Sequence, residues 1–131
     1  MSTIKSPGGS TFPYYYKGGE VHCLKFGSYF KDHAKLICVM KEEVEFIQKN
    51  NKQLRIWVDF YDTTINNTIL IEFLNSLIEI ERHILKLSVV GLSNKSKWQL
   101  NRLKKKIPYN KVNPMKYYID PEDAKTWLVS E

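Results

Sequence analysis

The chain has 131 residues, 43% of them hydrophobic, and a formal net charge of +6. That length is most simply one domain with an ordinary globular core. Membrane helices of roughly 18 unbroken apolar residues are excluded: the richest stretch, TILIEFLNSLIEIE, is interrupted by Glu72, Asn75 and Glu79.

Residues 1–19, MSTIKSPGGSTFPYYYKGG, combine glycine pairs, prolines and a tyrosine triplet. They read as a flexible arm with a short extended piece at Phe12–Tyr16, and without the apolar centre of a secretory signal. The expected location is therefore the cytoplasm. EVHCLKF alternates well enough for a strand, with Val21, Cys23 and Leu24 to Phe26 contributing to the core. In KDHAKLICVMKEEVEFIQKNN, the spacings of three and four between Ile37, Met40, Val44 and Ile47 predict an amphipathic helix. QLRIWVDF is a short, nearly continuous apolar run, as expected of a central parallel strand covered on both faces.

NTILIEFLNSLIEIERHIL repeats the helical spacing through Leu70, Phe73, Leu74, Leu77 and Ile84. KLSVVGL is the next strand, NKSKWQLNRLKKKI the third helix and MKYYI the fourth strand. In the closing helix, DPEDAKTWLVSE, Asp120 can cap, Pro121 takes the first helical position, and Glu122 and Asp123 favour the dipole. The order β-α-β-α-β-α-β-α predicts one α/β domain over residues 20–131. Its four β-α units would join a mostly parallel sheet of four or five strands by right-handed crossovers.

Three stretches go further: Val58-Asp59-Phe60 at a strand end, Val89-Val90-Gly91-Leu92, and the closing run from Tyr118 to Leu128 with its Trp127-Leu128. Together they resemble SpoIIAA-like, or STAS-like, domains, and more closely their single-domain bacterial members, over roughly Val21 to Val129. The resemblance implies a protein-interaction or regulatory module without intrinsic catalysis and without a cofactor. In anti-sigma-factor antagonists of this kind, the helix after the central strand starts with an Asp-Ser-Ser-Gly motif. Its serine is phosphorylated to switch the grip on a kinase partner. Here the corresponding residues are Asn66, Asn67, Thr68 and Ile69, so that switch is not inherited. Thr68 is the nearest hydroxyl.

In a parallel α/β sheet, ligands bind beyond the carboxyl ends of the strands, where helix starts offer free amide donors. YDTTINN, GLSNKS and IDPED occupy such places. Anion binding near Thr64, Asn66, Asn67, Thr68, Ser93 or Asn94 is physically reasonable. Capping alone would select the same residue types, with Asn66 or Asn67 and Ser93 or Asn94 as caps and Thr63 and Thr64 satisfying turn amides. Capping is the expectation.

Asp59 and Asp62 invite a phosphotransfer or metal reading. Their separation of three, rather than the two of haloacid-dehalogenase-type phosphatases, changes the side the second carboxylate faces. Asp59 is expected to bond nearby backbone amides. His22, His33 and His83 fall on three different elements and read as scattered surface histidines without a metal. Cys23 and Cys38 match no metal or redox spacing; their pairing is left open, with buried free thiols expected.

The charge is unevenly spread. Residues 1–93 carry eleven Lys/Arg against ten Asp/Glu, whereas residues 94–116 carry eight Lys/Arg and no acid. At 100° per residue, Leu100, Leu103 and Ile107 share the core face of the third helix, and Trp98, Arg102 and Lys105 the opposite face, flanked by Lys95 and Lys106. Tryptophan and arginine are frequent interface anchors, so Trp98, Arg102, Lys105 and Lys95 form the candidate partner-binding set. An acidic protein ranks first as partner, anionic lipid second and nucleic acid third, because the basic segment is short; a homodimer is compatible. The alternatives from other classes are a small-ligand or lipid-binding domain, with an apolar pocket between the second and third helices and the sheet, and an enzyme built on Asp59 and Asp62.

Overall fold

The computed structural model describes residues 3–107 and 115–130. From the amino end, β1 (Ile4–Lys5) and β2 (Thr11–Phe12) form a small antiparallel hairpin. Then follow β3 (Tyr14–Tyr16), β4 (Gly19–Lys25), α1 (His33–Asn50), β5 (Leu54–Asp59) and α2 (Asn67–Glu79). After a 3-10 turn at Glu81–His83 come β6 (Ile84–Val90), α3 (Asn94–Lys106), β7 (Met115–Tyr118) and α4 (Pro121–Val129). The main sheet runs β3-β4-β5-β6-β7, with β3 antiparallel to β4 and every later pair parallel. The expected α/β architecture of four consecutive β-α units is present.

Sequential strand order decides where the helices go. A right-handed crossover that always adds its strand on the same side must always pass over the same face. Accordingly α1, α2 and α3 lie in a row, α2 touching both neighbours. β5 alternates strictly: Leu54, Ile56 and Val58 are buried, while Arg55, Trp57 and Asp59 are half-buried. Ile56 is level with Leu87 and His22 on the helix-covered face. There Phe73 of α2 meets Phe60 edge-on with ring centroids 5.0 Å apart, and Leu70, Leu74 and Leu77 complete the apolar layer.

α4 packs on the other face, where Ser88 donates to the Ala124 carbonyl and Lys125 sits over the Trp57 ring. β5 was expected to be covered on both faces; the cover is unequal. α4 is a single helix of nine residues that reaches all five strands, yet Arg55, Trp57 and Asp59 remain half-buried on that side.

Two further expectations are corrected. Ile84 does not continue the α2 stripe: the helix ends at Glu79, and Ile84 opens β6. The arm over residues 1–19 is folded where it is described. Its SPGGS segment is the turn of the β1–β2 hairpin, and β3 pairs Tyr14 with Val21, so the expected boundary at residue 20 falls inside a β-hairpin.

The clasp for this arm is Glu43 of α1, which is 1% exposed. Its Oε2 accepts from the Ser6 hydroxyl at 2.6 Å and the Gly8 N–H at 2.7 Å, and its Oε1 lies 2.9 Å from His22 Nε2. A buried carboxylate is tolerable only when its oxygens are bonded in this way. Phe12 closes the site, edge-on to both His22 and Phe46.

Candidate functional site

The carboxyl edge of the sheet is built around the turn that follows β5. Phe60 is buried and donates its N–H to the Val90 carbonyl at 3.0 Å. Tyr61 is then wedged between two glycines. A Cβ on Gly27 would sit 2.5 Å from the Tyr61 oxygen, and one on Gly91 2.5 Å from the Tyr61 nitrogen. Gly91 also has φ +89°, which side chains other than glycine's avoid. The Asp59 carboxylate accepts the Tyr61 N–H at 2.9 Å, the backbone role expected of it.

The loop after β4 is zipped onto this turn. Ser28 donates to the Tyr61 carbonyl, Phe30 to that of Asp62, and Thr64 back to Phe30. The Thr63 hydroxyl donates to the Phe26 carbonyl at 2.7 Å and accepts the Tyr29 N–H at 3.2 Å. Ser28, Phe30 and Asp62 all have positive φ, an uncommon conformation outside glycine. The Tyr61 hydroxyl bonds the carbonyl of Ile119, tying the turn to the end of β7. Asp62 is exposed, and among the described residues no three His, Cys, Asp or Glu side chains group into a set that could hold a metal.

Both neighbouring helix starts are capped as expected. The Asn66 side chain accepts the Ile69 N–H at 2.9 Å, and the Ser93 hydroxyl accepts the Ser96 N–H at 3.1 Å. Between the two caps lies an open groove of about 510 Å³, lined by Thr63, Asn66, Asn67, Gly91, Ser93 and Lys95 among others. Of the helix-start candidates, Asn66 and Asn67 line it; Thr64 and Thr68 are exposed and do not. Thr63 does line the groove, its hydroxyl being the one fixed between the two loops.

α3 presents the arrangement its spacing predicts. Leu100 is buried, with Leu103 and Ile107 half-buried beside it. On the opposite face Trp98 is 59% exposed, and the Arg102 guanidinium carbon stands 4.9 Å from its ring centroid. At such an exposed site a cation–π pair contributes about 0.5–1 kcal/mol, enough to orient two side chains but not to hide them. Lys95, Lys105 and Lys106 are exposed as well. Lys97 and Lys104 turn the other way, 5.6 and 5.9 Å from the Tyr117 centroid on β7. Burial pushes the Tyr117 phenol up to about 12. A recess of about 120 Å³ lies beneath Trp98 and Arg102, lined also by Asn67, Gln99, Leu103 and Lys106.

The histidines and cysteines depart in part from expectation. His22 and His83 are buried rather than on the surface, and the three histidines have separate partners. His22 meets Glu43, His33 donates Nε2–H to the Thr64 carbonyl, and His83 Nδ1 lies 3.0 Å from the Lys52 carbonyl. Both cysteines are free. Cys23 is buried, and its thiol is pushed up to about 12, chiefly by burial and then by the Asp59 charge. Cys38 is exposed, on the outer side of α1. A scan against protein-family models, a search of curated proteins and a search of solved structures each return no match.

Proposed function

We propose that this chain is a cytoplasmic, non-enzymatic interaction or regulatory module of the SpoIIAA/STAS-like kind, which grips an acidic protein through the outer face of α3. The observation that carries this reading is Trp98, 59% exposed under the Arg102 guanidinium on a helix without a single acid. A large apolar ring left in water beside cations has the composition of an interface anchor before its partner arrives. Support also comes from the braced turn after β5, which holds the starts of α2 and α3 in fixed relation. Thr68 is the second residue of α2 and exposed, and no serine stands at that helix start, so the proposed grip is one that does not call on a serine switch.

The competing readings draw less support. Leu70, Leu74, Leu87 and Leu100 fill the space between α2, α3 and the sheet at 0% exposure, where a lipid pocket would have to open. The Asp59 carboxylate is occupied by a backbone amide, which suits a structural role better than catalysis. The test is affinity capture from native lysate with the full chain, Trp98→Ala and Arg102→Glu. The expected result is an acidic protein held by the parent and lost from both variants. Identical catches from all three would refute the reading.

A further inference from the structure

Resting on that reading, we infer that the partner contributes an extended acidic peptide segment, laid along the seam between α2 and α3. The groove between the two helix caps and the recess beneath Trp98 share Asn67 and Gln99 in their walls, so they adjoin there and together mark a track along the seam. Lys95 stands at its sheet-edge end, and Arg102 and Lys106 at its far end. From Lys95 to Lys106 the helix rises about 16 Å at ~1.5 Å per residue. About five residues of extended chain, at ~3.3 Å each, cover that length.

The lining suits a peptide strand. The amides of Asn67 and Gln99 can both donate and accept, as a peptide backbone requires. Ile65 near one end and Leu103 near the other supply apolar contact, and Trp98 overhangs the recess. Side chains alternate along an extended chain, so acidic residues can meet the cations while an aromatic or aliphatic one enters the recess. The absence of any acid on α3 makes the track complementary to a run of carboxylates. A nucleic acid fits less well, because Lys97 and Lys104 point to Tyr117 and the remaining cations form one short row.

Fluorescence anisotropy tests this with the full chain and a labelled, glutamate-rich synthetic peptide carrying one phenylalanine. Its all-glutamine analogue, a single-stranded oligonucleotide and anionic phospholipid vesicles serve as competitors. Binding of the glutamate peptide should weaken about tenfold or more in Lys95→Glu and in Arg102→Glu, as for interface anchors. It should change less than about twofold in Lys41→Glu, an exposed cation on α1, which α2 separates from α3. Thermal melts of the three exposed-site variants confirm folding.

Equal losses in all three variants would overturn the track, as would tighter binding of the oligonucleotide or the vesicles. If the peptide fails to bind while lysate capture still depends on Trp98, the extended-segment mode falls and the α3 surface stands. If both fail, both readings fall together.

Discussion

α2 and α3 are each thirteen residues long and lie side by side on the same face of the sheet, yet they do opposite things. α2 buries Ile69, Leu70, Phe73, Leu74, Ser76 and Leu77; α3 buries Ser96 and Leu100. Position explains the contrast. α2 sits between two helices over the middle of the sheet, whereas α3 has α2 on one side and reaches Tyr117 of the four-residue edge strand β7. A helix with a neighbour on each side must be apolar over much of its circumference; one at the margin needs a single narrow stripe. The rest of α3 is thereby free to carry tryptophan and cations without cost to the core.

The largest test of this contrast is Phe73→Ala. Removing a fully buried ring that packs against Phe60 and Phe26 should cost about 3–5 kcal/mol in denaturant unfolding. A loss below 1 kcal/mol would mean that α2 is not the central prop. Leu100→Ala is next, at about 2–4 kcal/mol, because half-buried Leu103 and Ile107 can relax into the vacated space. If it equals or exceeds Phe73→Ala, the two helices share the core more evenly than burial suggests.

The caps should behave alike despite that difference. Asn66→Ala and Ser93→Ala each remove one bond to a helix-start amide and should each cost about 1 kcal/mol. The inner side of α3 can be sharpened by titration. Tyr117 holds its proton to about 12, above its ordinary 10.0, so the unfolded chain loses that proton first. Its contribution to stability is whole below pH 10 and is lost as pH climbs toward 12, a trend absent from Tyr117→Phe. Absorbance of the phenolate reads it directly; titration near 10 would show that this side of α3 is open to water. Smallest of all, Trp98→Ala should cost no more than the ~0.5–1 kcal/mol of its cation–π pair with Arg102 while removing partner capture. A large destabilisation would mean that Trp98 is a packing residue and not an anchor.

Much of this was legible before any coordinates. The four β-α units, the cap at Asp120, a cap at Asn66 or Asn67 and another at Ser93 or Asn94, and the outward Trp98–Arg102 face follow from spacing and residue type alone; the structure chose Asn66 and Ser93. What was missed lies where a polar residue is buried. Glu43 falls on the same stripe as Leu36, Met40 and Ile47, at helical spacings of three and four, so its core position was readable. A carboxylate is seldom fully buried, so its charge argues against that position until a partner is known. Its partners Ser6 and Gly8 come from a glycine-rich segment whose composition suggests a loose arm; at Gly8 a Cβ would approach Glu43 Oε2 to 2.8 Å. His22 was misplaced for the same reason, since its neighbour in space is twenty-one positions away in the chain.

YDTTINN shows the division most plainly. Its asparagine cap, its threonine bonding backbone groups and the Asp59 just before it follow from side-chain chemistry that acts over a few residues. Composition and periodicity likewise determined the fold class and the outward face of α3, because amphipathic elements report their own buried side. Only the tertiary structure decided that Gly27 and Gly91 wedge Tyr61, that Thr63 joins two loops, and that Asn67 and Gln99 border both the groove at the helix caps and the recess at Trp98. Those are contacts between segments thirty or more residues apart, set by strand order and register, and local sequence patterns hold no record of them.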